Sequence, residues 1–309
     1  MERGTSEPSR SRVLMIFPGA LGDLICLVPT LRALARRHRD MPLDLMAREE
    51  LARFAVGRLG ISRAYSIDRH EVSDLFGENA DGGRATQLFR PFARIYSFFA
   101  SGDAHFRRAL ERAASPAAAS FHAFRPETAG HVAAGYLEEI GERAAPLFTR
   151  IDVLPDDIDA AKQILAGFGL SDTRVLLIFP GSGNLRKNWP AENFAALAHA
   201  VTRTFRPLVI LGPAEIDADR SFAARKIATI RGRPLSIVAG LASVAAGFVG
   251  NDSGVSHLAA AAGTPGVVLF GPTDPERWRP LGQTTVVRHE PIADLAPAAV
   301  MAAIDSAIR

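Results

Sequence analysis

Two short runs of unbroken apolar residues frame this chain. VLMIFPG at 13–19 returns as VLLIFPG at 175–181, 162 residues further on, and only Met15 and Leu177 differ. A continuous apolar run closed by Pro-Gly is what a strand covered on both faces of a parallel sheet requires. Behind each run a small-residue loop gives way to helical periodicity. After the first, Leu24, Leu27, Leu31 and Leu34 fall on one face of a helix expected over Asp23–His38. The echo predicts two strand–loop–helix units, each opening a Rossmann-like, doubly wound α/β domain.

The rest of the chain fills in both halves. The pattern predicts a strand at Leu43–Ala47, a helix at Glu49–Leu59, strands at Ala64–Ile67 and Arg94–Phe99, and helices at Asp103–Ala113 and His131–Ile140. A boundary is expected near Arg150–Asp156, where Pro155 precedes an acid-led helix over Asp156–Phe168. The second half then alternates: strand 174–179, helix 191–204, strand 207–211, helices 216–227 and 235–246, strand 247–250, helix 254–262 and strand 266–270. The segment at 235–246 also suits a strand through Ile237 and Val238. A last helix is expected over Ala293–Ile308. The organisation predicted is a tail at 1–11, a first domain at 12–152, a second at 153–290, and a C-terminal helix at 291–309 whose return to the first domain stays open.

Composition narrows the classes of function. A chain of 309 residues with 48% hydrophobic and 22% charged residues is long enough for two domains and too apolar for wholesale disorder. The net charge of +3 supplies no dense basic stripe for nucleic acid, and only Lys162, Lys187 and Lys226 are lysines. The single cysteine, Cys26, excludes an internal disulfide and a cysteine-based zinc site and fits a reducing compartment. Pro18, Gly19, Gly22 and Asp23 interrupt the first apolar run, so neither an export signal nor a spanning helix is expected. A cytoplasmic location is expected, at most peripheral at the inner membrane. Arg84, Arg90, Arg94, Arg107, Arg108 and Arg112 outnumber Asp103 and Glu111 and interleave with Phe89, Phe92, Phe98, Phe99 and Phe106. That stretch reads either as a surface for anionic lipid or as a buried strand beside a solvated helix face.

In open α/β sheets ligands sit beyond the carboxyl ends of the strands, so the loops there hold the candidate chemistry. The loops GALGDL and GSGNLR do not complete a dinucleotide fingerprint, and no glycine precedes a lysine, which removes a P-loop. Asp157–Asp159 and Asp217–Asp219 read as first-turn helix acids rather than metal ligands; no metal or cofactor is expected. The richest stretch is GNDSGVSHLAAAAGTPGVVLFGPTDPERW at 250–278. Amides at 253–256, opening an Ala-rich helix, suit a diphosphate. Alternatively Asp252 or Ser253 is a plain N-cap, and His257 a satisfied helix residue. Lys187 offers a compact charge for a phosphate, or is solvated beside a packed Trp189. Glu215, in LGPAEID, either binds ribose hydroxyls or marks a helix entry. Asp23 sits at a helix start that favours its ionised form, which makes it a candidate general base or a helix-end acid. Gly19 and Gly181 permit the tight turns, with Gly22 and Ser182 in the same loops.

Together these residues resemble glycosyltransferase family 9, the bacterial heptosyltransferases of lipopolysaccharide core assembly. The resemblance rests on GALGDLICLVPTLRAL at 19–34, FPGSGNLRKNWPAENFAALA at 179–198, LGPAE at 211–215 and GNDSGVSHLAAAAGTPGVVLFGPTDPERWRPLG at 250–282. Residues 70–130 match only loosely, and Ser253 stands where the family often has threonine, which keeps the hydroxyl. The resemblance implies a GT-B fold, two Rossmann-like domains facing across a cleft, with the acceptor on the first and an ADP-activated sugar, heptose favoured, on the second. It implies an inverting, metal-independent transfer to a hydroxyl of a cell-envelope glycan or glycolipid. Asp23 becomes the base; Lys187, Asp252, Ser253, Gly254 and His257 meet the diphosphate and sugar, and Glu215 the ribose. The competing readings are a non-catalytic nucleotide-sugar binder on the same fold, and a transferase using another nucleotide sugar and a non-lipid acceptor.

Overall fold

The two echoed apolar runs are the central strands of two separate parallel sheets. The computed structural model describes residues 12–77, 83–114, 118–143, 146–212 and 218–308. In the first sheet the strands are β1 (Arg12–Ile16), β2 (Leu43–Ala47), β3 (Ala64–Ser66), β4 (Phe92–Ser97) and β5 (Ala119–Phe121), in the order β3-β2-β1-β4-β5. The second holds β6 (Val175–Phe179), β7 (Arg206–Leu211), β8 (Ala228–Arg231), β9 (Gly247–Asn251), β10 (Gly266–Phe270) and β11 (Thr284–Arg288), ordered β11-β10-β9-β6-β7-β8. All pairings are parallel. Each order runs outward from the echoed strand and reverses beside it, between β1 and β4 and between β6 and β9. That reversal is the switch point at which doubly wound sheets hold ligands.

By contacts the chain divides into two units. One comprises 1–20, 27–128 and 133–145; the other comprises 21–26, 129–132 and 146–309. The helix Leu21–Arg37 therefore begins in the second unit's contact set and continues in the first's. In the first unit Leu14, Ile16, Ile95, Phe92 and Phe106 share one buried cluster, and Phe17 lies edge-on to Phe98, Phe124 and Tyr136. The buried carboxylate of Asp44 takes two hydrogen bonds from Arg12, which ties β2 to β1 at a polar point inside an apolar sheet. In the second unit Leu176, Ile178, Val249, Val267 and Leu269 supply the sheet's share of the core.

Several expectations need correction. The helix expected over Glu49–Leu59 ends at Ala55, because Val56 is extended and Gly57 and Gly60 take positive φ. The strand expected at Arg94–Phe99 is β4, two residues earlier. The segment expected as helix 191–204 is α-helical over Ala191–Ala200 and then tightens to a 3-10 turn at Val201–Arg203. Leu235–Val244 is helical, as expected, which sets aside the strand alternative, and it buries Val238 and Leu241. The helix expected at 216–227 is seen as Ala218–Ala223, its start lying outside the described residues. Strands β5, β8 and β11 and the helix Gly83–Phe89 were not anticipated. The last helix, Pro297–Ala307, packs on helix Ala191–Ala200 and on β10 and β11, with Val300 and Ile304 in the second unit's core. Finally, Phe89, Phe92, Phe98 and Phe106 are fully buried and Phe99 is half-buried, while the six arginines around them are exposed. The aromatic side of the proposed lipid surface is thus core, and the stretch is a buried strand beside a solvated helix face.

Candidate active site

The second unit assembles its polar residues at the switch point between β6 and β9. The loop leaving β6 is built by short-range hydrogen bonds. The hydroxyl of Ser182 lies 2.6 Å from Asn188 Oδ1 and 2.8 Å from the Asn184 carbonyl, and Asn184 Oδ1 accepts from the Arg186 amide at 3.0 Å. This opens the single 3-10 turn Leu185–Lys187. The loop's far end is anchored by buried Trp189, whose indole N–H donates to the Leu295 carbonyl at 2.9 Å and whose amide donates to Asn251 Oδ1 at 3.0 Å. Asn251, fully buried at the end of β9, also donates from Nδ2 to the Pro180 carbonyl at 2.7 Å. One asparagine thereby fixes both strand-end loops to each other.

Lys187 reaches across from this loop. Its Nζ lies 2.7 Å from Oδ2 of Asp252, and the Thr273 hydroxyl donates to the same oxygen at 2.6 Å. Asp252 is 5% exposed, whereas the Lys187 side chain keeps 26% of its surface open. The lysine is therefore held at Asp252, two residues before the start of helix Gly254–Ala261, with part of its side chain open to solvent. Ser253 is the N-cap residue, extended, and no side-chain capping bond is formed there. Its hydroxyl instead lies 3.2 Å from that of Ser256, which donates to the Asn251 carbonyl at 2.7 Å. A plain capping role therefore accounts for neither Asp252 nor Ser253.

Gly254 is required sterically. A Cβ there would stand 2.8 Å from Leu21 Cβ and 3.0 Å from the Gly22 amide nitrogen. The turn Leu21–Gly22, which opens the helix bearing Asp23, thus lies directly against the start of helix Gly254–Ala261. Gly22 faces the His257 ring: its Cβ position lies 3.5 Å from Cδ2 and 3.8 Å from Nε2. Asp23 is buried at 4% exposure in the first turn of its helix. Burial pushes the His257 imidazole down to about 4, against the opposing pull of Asp252 and Asp23, so it is neutral near pH 7. His131, also buried and also pushed down by burial, donates from Nε2 to the Arg279 carbonyl at 2.8 Å. Such an arrangement presents a cation, oriented amides, a neutral imidazole and a carboxylate together: the means to hold an anionic leaving group and to accept a proton.

Of the residues singled out from sequence, Asp23, Gly22, Lys187, Asp252, Ser253, Gly254 and His257 are gathered here. Gly181 and Ser182 shape the loop that carries Lys187. Gly19 is buried in the first unit behind β1, and Glu215 lies outside the described residues. Asn251, Thr273 and Cys26 were not named as site residues. Asn251 and Thr273 lie inside the quoted 250–278 stretch, but nothing in the sequence assigned them partners.

Two parallel-sheet α/β units of this order match the GT-B fold of glycosyltransferases. Residues 143–297 match glycosyltransferase family 9 (heptosyltransferase), half of the chain, and the protein belongs to that family. Its structure is similar to that of a family 9 glycosyltransferase from Veillonella parvula, with 20% identity over 97% of each chain and a TM-score of 0.76. It is also similar to E. coli ADP-heptose lps heptosyltransferase II, with 19% identity, 96% of this chain and 98% of that one covered, and a TM-score of 0.76. A third similar structure is E. coli heptosyltransferase WaaC with ADP, at 18% identity, 96% and 99% coverage and a TM-score of 0.70. No curated protein matches the chain. Among the described residues no helix is long and apolar enough to cross a membrane.

Proposed function

We propose that the enzyme is an inverting, metal-independent glycosyltransferase that moves heptose from an ADP-activated donor to a hydroxyl of a cell-envelope glycan or glycolipid. The observation that carries this reading is the contact of the Asp23-bearing turn with the start of helix Gly254–Ala261, beside Lys187. It brings the start of the Asp23 helix against the start of helix Gly254–Ala261, which supports the reading of a base beside an anion site. The donor diphosphate lies on the amides after Ser253, with Lys187 over it; Asp252, held by Lys187 and Thr273, faces the sugar hydroxyls, and Glu215 takes the ribose. Asp23 accepts the acceptor proton as that oxygen attacks the anomeric carbon, worth about 10²–10⁴-fold in rate. The C–O bond to the diphosphate breaks as the new one forms, and its charge is met by Lys187 and the helix end, each such preorganised donor being worth roughly 3 kcal/mol. ADP-heptose is favoured because two of the similar E. coli proteins are described as an ADP-heptose heptosyltransferase and as a heptosyltransferase with ADP.

The test is ADP release from ADP-heptose with glycan and glycolipid acceptors, alongside a binding panel of ADP-, UDP- and GDP-sugars. Asp23→Ala is expected to bind ADP as the wild type does while turnover falls by about 10²–10⁴-fold. Turnover retained in that variant removes Asp23 from the mechanism. Tight binding without acceptor-dependent ADP release makes the protein a nucleotide-sugar binder instead.

A further inference from the structure

The thiol of Cys26 meets the His257 ring, and the proposed reaction gives it no part. Cys26 lies one helical turn beyond Asp23 and is 1% exposed. Its Sγ is 3.6 Å from Nδ1 of His257, a residue 231 positions away, within hydrogen-bond range for sulfur. The opposite edge of the ring, Cδ2 and Nε2, faces the backbone of Gly22. One ring nitrogen therefore looks at a thiol and the other at the turn that carries Asp23.

We propose that Cys26 is a positioning residue: its thiol donates to Nδ1 of His257 and fixes the imidazole with its proton on Nε2. A neutral imidazole carries one N–H, and the hydrogen bond at one nitrogen decides which nitrogen carries it. Burial raises the Cys26 pKa, so the sulfur keeps its hydrogen and has a proton to donate. Burial likewise keeps the ring neutral, so Nδ1 has a lone pair to receive it. With the proton on Nε2, the N–H lies on the ring edge at the Gly22 turn, next to Gly254 at the helix start, where the proposed function places an anion. The other tautomer would present a lone pair to the same anion and repel it. This assignment rests on the reading of His257 as a diphosphate contact, but the tautomer itself is a property of the ligand-free enzyme.

The experiment separates the two. Histidine-selective ¹⁵N labelling, with His257 assigned by its absence in His257→Gln, reads the tautomer directly in the intact enzyme near pH 7. The wild type and Cys26→Ser are expected to show Nε2 protonated and Nδ1 bare, whereas Cys26→Ala shows exchange-averaged nitrogens. Loss of the positioning bond in Cys26→Ala is expected to raise the donor KM about five- to tenfold, with kcat changed less and Cys26→Ser restoring the KM. A His257 protonated at Nδ1 in the wild type, or one unchanged in Cys26→Ala, overturns the proposal whether or not nucleotide binds. If the spectra behave as expected but His257→Gln binds ADP as tightly as the wild type, the tautomer is fixed and it is the diphosphate contact that fails.

Discussion

Lys187 is the residue at which binding and stability are most cleanly told apart. Its side chain is quarter-exposed, but its partner Asp252 is buried, so removing the lysine leaves a buried carboxylate with the Thr273 hydroxyl on that oxygen. Breaking a buried pair by deleting one member costs stability through the charge left behind. In Lys187→Ala the melting temperature is therefore expected to fall, and ADP to bind roughly 10- to 100-fold more weakly, as for loss of a charged hydrogen bond of about 1.5–3 kcal/mol. Adding Asp252→Asn removes the stranded charge, so the double variant is expected to regain stability without regaining affinity. Calorimetric titration with ADP and thermal melts of the three variants check this; affinity restored in the double variant assigns Lys187 a purely structural part. Lys187, Asp252 and Gly254 were legible from sequence because each follows an apolar run that had to be a strand. The roles of Thr273 and Cys26 were not, since they arise from partners 21 and 231 residues away and from no local pattern.

At the scale of elements, burial decided what could be read. Strands β6, β9 and β10 are buried at every position, and their apolar runs located each of them to within one residue. The missed strands β5, β8 and β11 are sheet edges, short and only partly covered, and their mixed residues carry no clear period. The same logic hid the close approach of helix Pro155–Gly167 to helix Leu235–Val244, whose crossing is set by Gly240. A Cβ on Gly240 would run into the Asp157 backbone carbonyl and stand 3.2 Å from Ala161 Cβ. Backbone cannot yield there as a flexible side chain would, so the helices must separate. Gly240→Ala is expected to cost about 2 kcal/mol, the overpacking penalty outweighing the gain in helix propensity. That lowers the melting midpoint by roughly 4–8 °C for a domain of this size. Gly167→Ala, at a helical position with open space around its Cβ, serves as the control and is expected to leave the midpoint unchanged or slightly raised. Equal melts for both variants remove Gly240 as the contact point of the two helices.

For the whole molecule, the histidines set how stability responds to acid. His38 and His122 in the first unit, and His131 and His257 in the second, all have pKa values lowered first by burial, His257 to about 4. In the unfolded chain each returns to about 6.5. Above that value both states are neutral at these rings and stability is full. As pH falls below it, the unfolded chain takes up protons that the folded rings refuse, so stability is lost progressively until the folded pKa values are reached. The slope is up to about 1.4 kcal/mol per pH unit for each ring so displaced. Ordinary carboxylates titrate near 4 and contribute little between pH 6.5 and 5, which leaves that window to the histidines. The melting temperature is therefore expected to be level above pH 7 and to fall in both units as the pH drops below about 6.5, the second unit's decline continuing toward 4 through His257. Substituting His257 by Gln removes one proton-binding site from the unfolded chain, so the decline should be shallower in His257→Gln while the first unit's share persists. Differential scanning calorimetry from pH 4 to 8 on the wild type and this variant measures both slopes. A midpoint that stays level down to pH 5 would mean that these rings accept protons in place, and that the buried neutral imidazole beside Asp23 and Lys187 is not the form the folded enzyme keeps.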